Sequence, residues 1–179
     1  MNKQRAFYKY QTHPRPLVIA ASDEGICGVW FEGQKHFGKP YLQDKDLSSI
    51  DFTSLTDTSD IRVLYIKDAV LWLNEYFAGK KPNPKRLTLC LSGTAFKKCV
   101  LLELLDIPYG QTTSYKQLAL DVANKIGKES MSAQAVGGAV SRNPISIIIP
   151  CHRVIAQDGN LTGYAAGLDI KQFLLFHEL

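Results

Sequence analysis

The sequence sets a thiol beside an imidazole once, at Cys151 and His152, in the run NPISIIIPCHRV that spans Asn143 to Val154. A free cysteine titrates near pH ~8.5, so only a few per cent is thiolate at neutral pH and a nucleophilic role needs a base. A cysteine behind an apolar run is ordinarily a small buried hydrophobe. Adjacent residues cannot both point into one core, however, and Pro150 stiffens the approach, so Cys151 and His152 are expected on a turn with constrained directions. His152 is the candidate base, acting directly or through a water. Glu178, near the end of the chain, is the candidate acceptor that orients it, with His177 as the competing partner. Cysteine, histidine and a carboxylate also describe a cysteine hydrolase, so these residues alone leave the reaction class open.

The elements that must position these groups are legible in part. RPLVIAASDEGICGVWFEG alternates and is rich in β-branched and aromatic residues, which predicts a hairpin turning at SDEG. KPYLQDKDLSSIDFTSLTDTSD is polar and weakly patterned and reads as loop. IRVLYIKDAVLWLNEYFAG has helical spacing through Val70, Leu73 and Phe77, with Gly79 as its stop. GKKPNPKR follows as the linker candidate, so an N-terminal domain over 1–86 and a C-terminal domain over 92–179 are expected, joined at about 79–88. Beyond it come a helix in SGTAFKKCVLLELLDI with Phe96, Val100, Leu104 and Leu105 on its apolar face, a second in TTSYKQLALDVANKIG capped by Thr113 or Ser114, and a third in SMSAQAVGGAVSRN. Gly137 and Gly138 weaken that third helix by about 1 kcal/mol each relative to alanine, which implies a close approach of something to its backbone. The last two helices resemble a helix-turn-helix. ISIII is expected to be a short buried strand, and GLDIKQFLLFHEL a final helix with Ile170, Phe173, Leu174 and His177 on one face. The fold class is therefore α+β: a small N-terminal α/β domain with an antiparallel sheet, then a helical domain.

The chain as a whole narrows the function classes. Its 179 residues carry a net charge of +4, compatible with a polyanionic partner. No segment has the length of a membrane span or a signal peptide, which points to the cytoplasm. Cys27, Cys90, Cys99 and Cys151 form no C-x-x-C pair, and with the four histidines they make no zinc spacing, so free thiols, no metal and no cofactor are expected. Cys27, Cys90 and Cys99 are expected to be buried and inert.

PCHRV, preceded by NPISIII and followed by TGYAAGLDIKQFLLFHE, resembles the O6-alkylguanine-DNA alkyltransferases, also called methylated-DNA–protein-cysteine methyltransferases. The resemblance extends back through AVGG and GQTTSYKQLA to FKKCVLLELLDIPYG, with a looser match at LNEYFAG. It implies a single-turnover repair reaction. An O6-alkylated guanine, mainly O6-methylguanine with O4-methylthymine as a second substrate, is flipped out of duplex DNA and its alkyl group moves to the protein. By the resemblance Cys151 is the alkyl acceptor, His152 the water-linked base and Glu178 the carboxylate that polarises it. Asn143 organises the turn around the cysteine, and Tyr115 helps rotate the nucleotide and donates a proton toward the leaving guanine. Tyr164 lines the pocket, and the carbonyls of Cys151 and Val154 read the guanine amino group.

The helix holding Ala135, Gly137 and Gly138 would enter the minor groove of double-stranded DNA, where a smooth face suits a narrow groove read by shape. Gln134 stands where the family commonly has an arginine finger, and Ala165 and Ala166 stand where relatives often carry glycine and are expected to narrow the pocket or stiffen its lid. Arg153 can contact phosphate or close a salt bridge inside its own domain, and the second is favoured. A monomer is expected. The alternative is a DNA-binding protein that senses alkylguanine without repairing it. Such relatives lack the nucleophilic cysteine.

Overall fold

The computed structural model describes residues 5–41 and 52–179. The chain divides into two compact units, Met1–Leu91 with Pro144–Ser146, and Ser92–Asn143 with Ile147–Leu179.

The first unit is built on an antiparallel sheet of β1 (Ala6–Tyr10), β2 (Leu17–Ser22) and β3 (Gly25–Phe31) in that order. The expected hairpin is β2–β3, with Asp23 and Glu24 in its turn and Leu17 opposite Phe31. β1 adds an outer strand that the sequence pattern did not announce, pairing Ala6 with Ala21 and Tyr10 with Leu17. Every residue of β2 and β3 is buried, which is why they read as nearly continuous apolar runs. The free edge of β3 is covered by two short parallel bridges, Ile26 to Leu89 and Val29 to Ile145. Covering the edge in this way removes a template for pairing with other chains.

One helix, α1 (Ile61–Phe77), packs on this sheet, capped by the Asp60 carboxylate, which accepts from the Arg62 N–H. Its buried face is Val63, Ile66, Ala69, Trp72, Leu73 and Tyr76. That differs from the expected Val70–Leu73–Phe77 stripe, because large apolar residues occur nearly all round this helix and spacing alone does not choose among them. The GKKPNPKR segment is not bare linker. Pro84–Arg86 forms a 3₁₀ turn capped by Asn83, and Arg86 pairs with Glu75 at 2.6 Å. The polar stretch read as loop falls partly on residues 42–51, outside the described residues. Where it re-emerges, Phe52 bridges to Phe7.

The second unit holds α2 (Ala95–Leu105), β4 (Thr113–Ser114), α3 (Tyr115–Lys125), α4 (Ala133–Val140), β5 (Val154–Ile155) and α5 (Leu168–His177). Each of the first three helices opens on a hydroxyl cap: Thr94 accepts from Lys97 N, Ser114 from Gln117 N and Ser132 from Ala135 N. Such caps are worth about 1 kcal/mol each. α2, α3 and α4 pack on one another through Val100, Leu101, Leu104, Leu118, Val122 and Val136, all of them buried. The two-residue strands β4 and β5 pair in parallel, Thr113 with Val154.

ISIII is not a strand. Only Ile145 bridges to β3, and the chain then turns through Ile147 with φ of 68°. A β-branched residue is strongly disfavoured there. The run is apolar because all its isoleucines are buried, not because it is extended.

Candidate active site

The turn carrying Cys151 is fixed from both sides. Pro150 sits at φ −82° and ψ 61°, and the Cys151 N–H donates to Ile149 O at 2.8 Å. That is an inverse γ-turn, for which proline's fixed φ is suited. A 3₁₀ turn follows over Cys151–Arg153, closed by the Val154 N–H donating to Cys151 O. Asn143, buried just past the end of α4, donates its Nδ2 to Ile149 O at 2.9 Å and to Cys151 Sγ at 3.1 Å. One side chain thus fixes both the turn and the sulfur. Burial pushes the thiol above its ordinary value, against the Asn143 hydrogen bond and the Lys171 charge, which pull it down. At rest the sulfur is protonated.

His152 is fully buried, and its Nε2 lies 2.7 Å from Glu178 Oε1. Burial pushes the imidazole below its ordinary value, more strongly than Glu178 raises it, with Arg153 and Lys171 adding to the lowering. A neutral ring facing a carboxylate carries its proton on Nε2, which makes Nδ1 the basic nitrogen. Nδ1 is buried and has no hydrogen-bond partner among the described residues.

Glu178 is held as tightly as the ring it orients. Arg153 Nε donates to Oε2 at 2.8 Å, Arg153 Nη2 to Oε1 at 3.0 Å, and the Gly110 N–H to Oε2 at 3.1 Å. Burial raises the carboxyl, but the hydrogen bonds and charges of His152 and Arg153 outweigh it and hold the group well below the usual carboxylate range. The third arm of Arg153, Nη1, donates to Ile107 O at 2.6 Å, so this buried guanidinium faces inward. Gly110 has φ of 75°, and a Cβ there would lie 2.9 Å from Glu178 O, so only glycine brings its N–H to the carboxylate. His177 does not compete: its ring stacks on Phe173 with centroids 6.2 Å apart.

A second group of residues surrounds the sulfur. Tyr115 opens α3, and its hydroxyl donates to Thr162 O at 3.3 Å. Burial pushes its phenol up, with the Thr162 hydrogen bond opposing and Cys151 adding to the rise. Lys171, with no solvent exposure, reaches from α5 to donate to Val154 O at 2.6 Å and Thr162 O at 2.8 Å. Its ammonium also lies 6.0 Å from the Tyr115 ring centre. Tyr164 is half-buried in the segment between β5 and α5. A cavity of about 320 Å³ lined by Gly110, Ile155, Leu175, Phe176 and Glu178 is a separate feature, since neither Cys151 nor Tyr115 lines it.

Gln134 and Ala135 are exposed at the start of α4, and Gly137 and Gly138 are half-exposed behind them. Nothing among the described residues requires these glycines. A Cβ at Gly137 would meet the Tyr115 ring at 3.6 Å and one at Gly138 would meet Arg142 Nη1 at 3.6 Å, both ordinary contacts. Among the described residues no group of three or more His, Cys, Asp or Glu could hold a metal ion, and no helix is long and apolar enough to cross a membrane. Cys27 is buried, whereas Cys90 and Cys99 are only half-buried, contrary to the expectation for the three.

Residues 95–179 match the family model described as the 6-O-methylguanine DNA methyltransferase DNA-binding domain. A methylated-DNA–protein-cysteine methyltransferase of Methanosarcina barkeri is 51% identical over 163 residues, which cover 89% of this chain and 88% of that protein. The chain belongs to the methylated-DNA–protein-cysteine methyltransferase family. Another member of that name, from Haemophilus influenzae, is 34% identical over 93% of this chain and 83% of its own. A crystal structure of Mycobacterium tuberculosis OGT in complex with DNA aligns with a TM-score of 0.70 and 34% identity, over 97% of this chain and 92% of that one.

Within this methyltransferase, Asn143 holds the Cys151 sulfur, Glu178 holds both His152 and Arg153, and Tyr115 and Lys171 share the Thr162 carbonyl; the adjacency of Cys151, His152 and Arg153 in the chain brings the first two sets together. Among the described residues Gln134 and Ala135 share no hydrogen bond with these groups; the Ala135 N–H donates to the Ser132 cap. Sequence reasoning missed Lys171, Gly110 and Ile107. The signal for Gly110 lies in the IPYG that ends FKKCVLLELLDIPYG.

Proposed function

We propose that this methyltransferase takes the methyl group of O6-methylguanine in duplex DNA, and that of O4-methylthymine as a second substrate, onto Cys151 once per molecule. The observation that carries this reading is the Asn143-held sulfur beside a neutral histidine whose Nε2 is pinned by Glu178. The sulfur attacks the saturated alkyl carbon in line, the S–C bond forms and the C–O6 bond breaks. The thiol proton passes to His152 Nδ1, directly or through a water, where Glu178 stabilises the imidazolium. The guanine leaves neutral by taking a proton through Tyr115, whose raised pKa keeps the phenol protonated until then. His152 then gives up its proton and the Tyr115 phenolate regains one through solvent, so the net transfer is from the Cys151 thiol to the guanine. No oxyanion hole is needed, because the reacting carbon is saturated.

Substrate recognition follows from the same geometry. Val154 O accepts one bond from Lys171, and a carbonyl has a second lone pair for the guanine amino group. Flipping costs a few kcal/mol of unstacking, offset by pocket contacts that include Tyr164. α3 and α4 act as the helix-turn-helix, with Gly137 and Gly138 leaving α4 smooth for the minor groove and Gln134 filling the gap behind the flipped base. Arg153 acts on Glu178 and not on DNA. The N-terminal unit supports the C-terminal one, and the chain works as a monomer in the cytoplasm. Sedimentation should show one species of single-chain mass.

Titration with an O6-methylguanine duplex tests the reaction. Lesion loss should plateau at one lesion per protein molecule. A plateau well above one would mean turnover and a hydrolase-like site, and no loss would mean sensing without repair.

A further inference from the structure

Just past β3 the chain buries a polar contact with a residue more than a hundred positions away. Gln34 closes a turn, its N–H donating to Phe31 O at 3.1 Å while its Oε1 accepts from the Phe31 N–H at 2.9 Å. The same oxygen accepts from Ser146 Oγ at 3.3 Å. Both side chains are buried, Gln34 at 5% exposure and Ser146 at 3%. Beside them Val29 makes two backbone bonds: its N–H donates to Pro144 O at 2.9 Å, and its carbonyl accepts from the Ser146 N–H at 2.8 Å. Val29, Gln34 and Pro144–Ser146 all belong to the first unit, whereas Asn143 and Ile147, on either side of that tripeptide, belong to the second.

Two backbone bonds and one side-chain bond therefore hold a tripeptide whose first residue is joined directly to Asn143. A buried hydroxyl–amide contact adds little net stability over an apolar pair of the same shape, but it fixes position and direction. Direction matters at this point of the chain. After Ser146 the backbone takes Ile147 at φ of 68°, a conformation that persists only where its surroundings hold it. It then returns so that Asn143 Nδ2 reaches both Ile149 O and the Cys151 sulfur. We propose that Gln34, acting through Ser146, is a positioning residue for the nucleophile: it fixes the tripeptide that follows Asn143, and with it the hydrogen bond that Asn143 gives to Cys151 Sγ. The proposal rests on the reading of Cys151 as the alkyl acceptor, and it gives the supporting role of the N-terminal unit a defined task.

The test is the pH profile of Cys151 alkylation by iodoacetamide, read by peptide mass spectrometry, beside single-turnover transfer from an O6-methylguanine duplex. Ser146→Ala removes one bond and leaves the Gln34–Phe31 turn, whereas Gln34→Met removes the acceptor of both. Each variant loosens the Asn143 bond, which pulls the thiol down. The profile should therefore move to higher pH. Transfer should slow about two- to tenfold, the range of one neutral hydrogen bond, with affinity for undamaged duplex unchanged. Ile66→Val, which loosens the packing of α1 on the sheet away from Gln34, should keep the wild-type profile and rate. Ser146→Ala carries the test by itself where Gln34→Met does not fold. A wild-type profile and rate in Ser146→Ala would overturn the proposal. So would an equal shift in Ile66→Val, since any loosening of the first unit would then suffice. The reagent profile needs no DNA. A shifted profile in Ser146→Ala with no lesion loss in the wild type would sink the repair reading and leave the positioning of Cys151 standing.

Discussion

Cys27 and Cys151 are both buried cysteines, and their surroundings could hardly differ more. Cys27 lies in an apolar cluster with Ala20 and Trp30, and its sulfur donates to Ala20 O at 3.5 Å. Burial pushes its thiol up to about 11, with the Arg5 charge opposing. Cys151 is also pushed up by burial, but what is buried with it is polar: Asn143 on the sulfur, and His152, Arg153, Lys171 and Glu178 in the shell around it. Burial by itself makes a cysteine inert. A nucleophile requires that the base, its orienter and the compensating charges be buried too, with the orienter and charges paired and the basic nitrogen left open to take a proton. The second unit holds such a set around Cys151, and among the described residues nothing comparable surrounds Cys27.

Removing the orienter should break the contrast most severely. Glu178→Gln leaves Arg153 without its carboxylate and frees the His152 tautomer. Transfer should slow about 10²- to 10⁴-fold, the range of a lost general base, while affinity for undamaged duplex stays near wild type. Single-turnover kinetics on an O6-methylguanine duplex read the first and a binding titration reads the second. An unchanged rate would show that the thiol does not depend on the relay.

Lys171→Met should come next. Its loss strips the donor from the Val154 and Thr162 carbonyls and a positive charge from the surroundings of the sulfur. Unfolding in urea should show a loss of about 1–3 kcal/mol, the cost of buried acceptors left unsatisfied. The rate of Cys151 with a small alkylating reagent should also need a higher pH to reach its plateau. Cys27 in the same variant should show no change in reactivity.

The network also makes stability depend on pH. The folded-state pKa of His152 lies below the ordinary value of 6.5, so the unfolded chain takes up this proton first. The native state therefore loses stability as pH falls below about 6.5, by about 1.4 kcal/mol for each pH unit over which the ring stays neutral. Glu178, whose folded pKa is depressed, contributes stability that is full above its unfolded value of 4.5 and is lost as pH falls toward the folded one. Both effects have the same sign, so urea midpoints should fall steadily from pH 7 to pH 4. A midpoint that is flat from pH 7 to pH 5 would show that His152 is not buried as a neutral ring.

Gln134→Arg is the smallest change, since it adds one exposed charge outside the network. It should tighten duplex binding by at most about fivefold, the range of an exposed ion pair, and leave the Cys151 pH profile alone. A clear loss of affinity would mean that the glutamine makes contacts an arginine cannot.

These contrasts track what the sequence could and could not disclose. Hydroxyl caps and helical spacing placed α2, α3 and α4, because caps and short amphipathic helices are local. Cys151, His152 and Glu178 were visible as chemistry. Lys171 was not: on a helix an isolated lysine reads as a solvated face, and only carbonyls supplied by β5 and the segment after it make its burial tolerable. The ISIII run was misread for a related reason. Its burial is real, but Ile147 takes a left-handed turn that no propensity favours, because the chain must fold back for Asn143 to reach Cys151. Arg153 shows the same limit, since its partner Glu178 lies 25 residues away in the chain.

On this reading one of the four cysteines, Cys151, receives the alkyl group, and does so once. Peptide mapping by mass spectrometry after reaction with an O6-methylguanine duplex tests it most directly. A single methyl group is expected on the peptide containing Cys151, none on those containing Cys27, Cys90 or Cys99, and no methylated peptide at all from Cys151→Ser. Methyl on any of the other three cysteines, or methylated protein from Cys151→Ser, would contradict it.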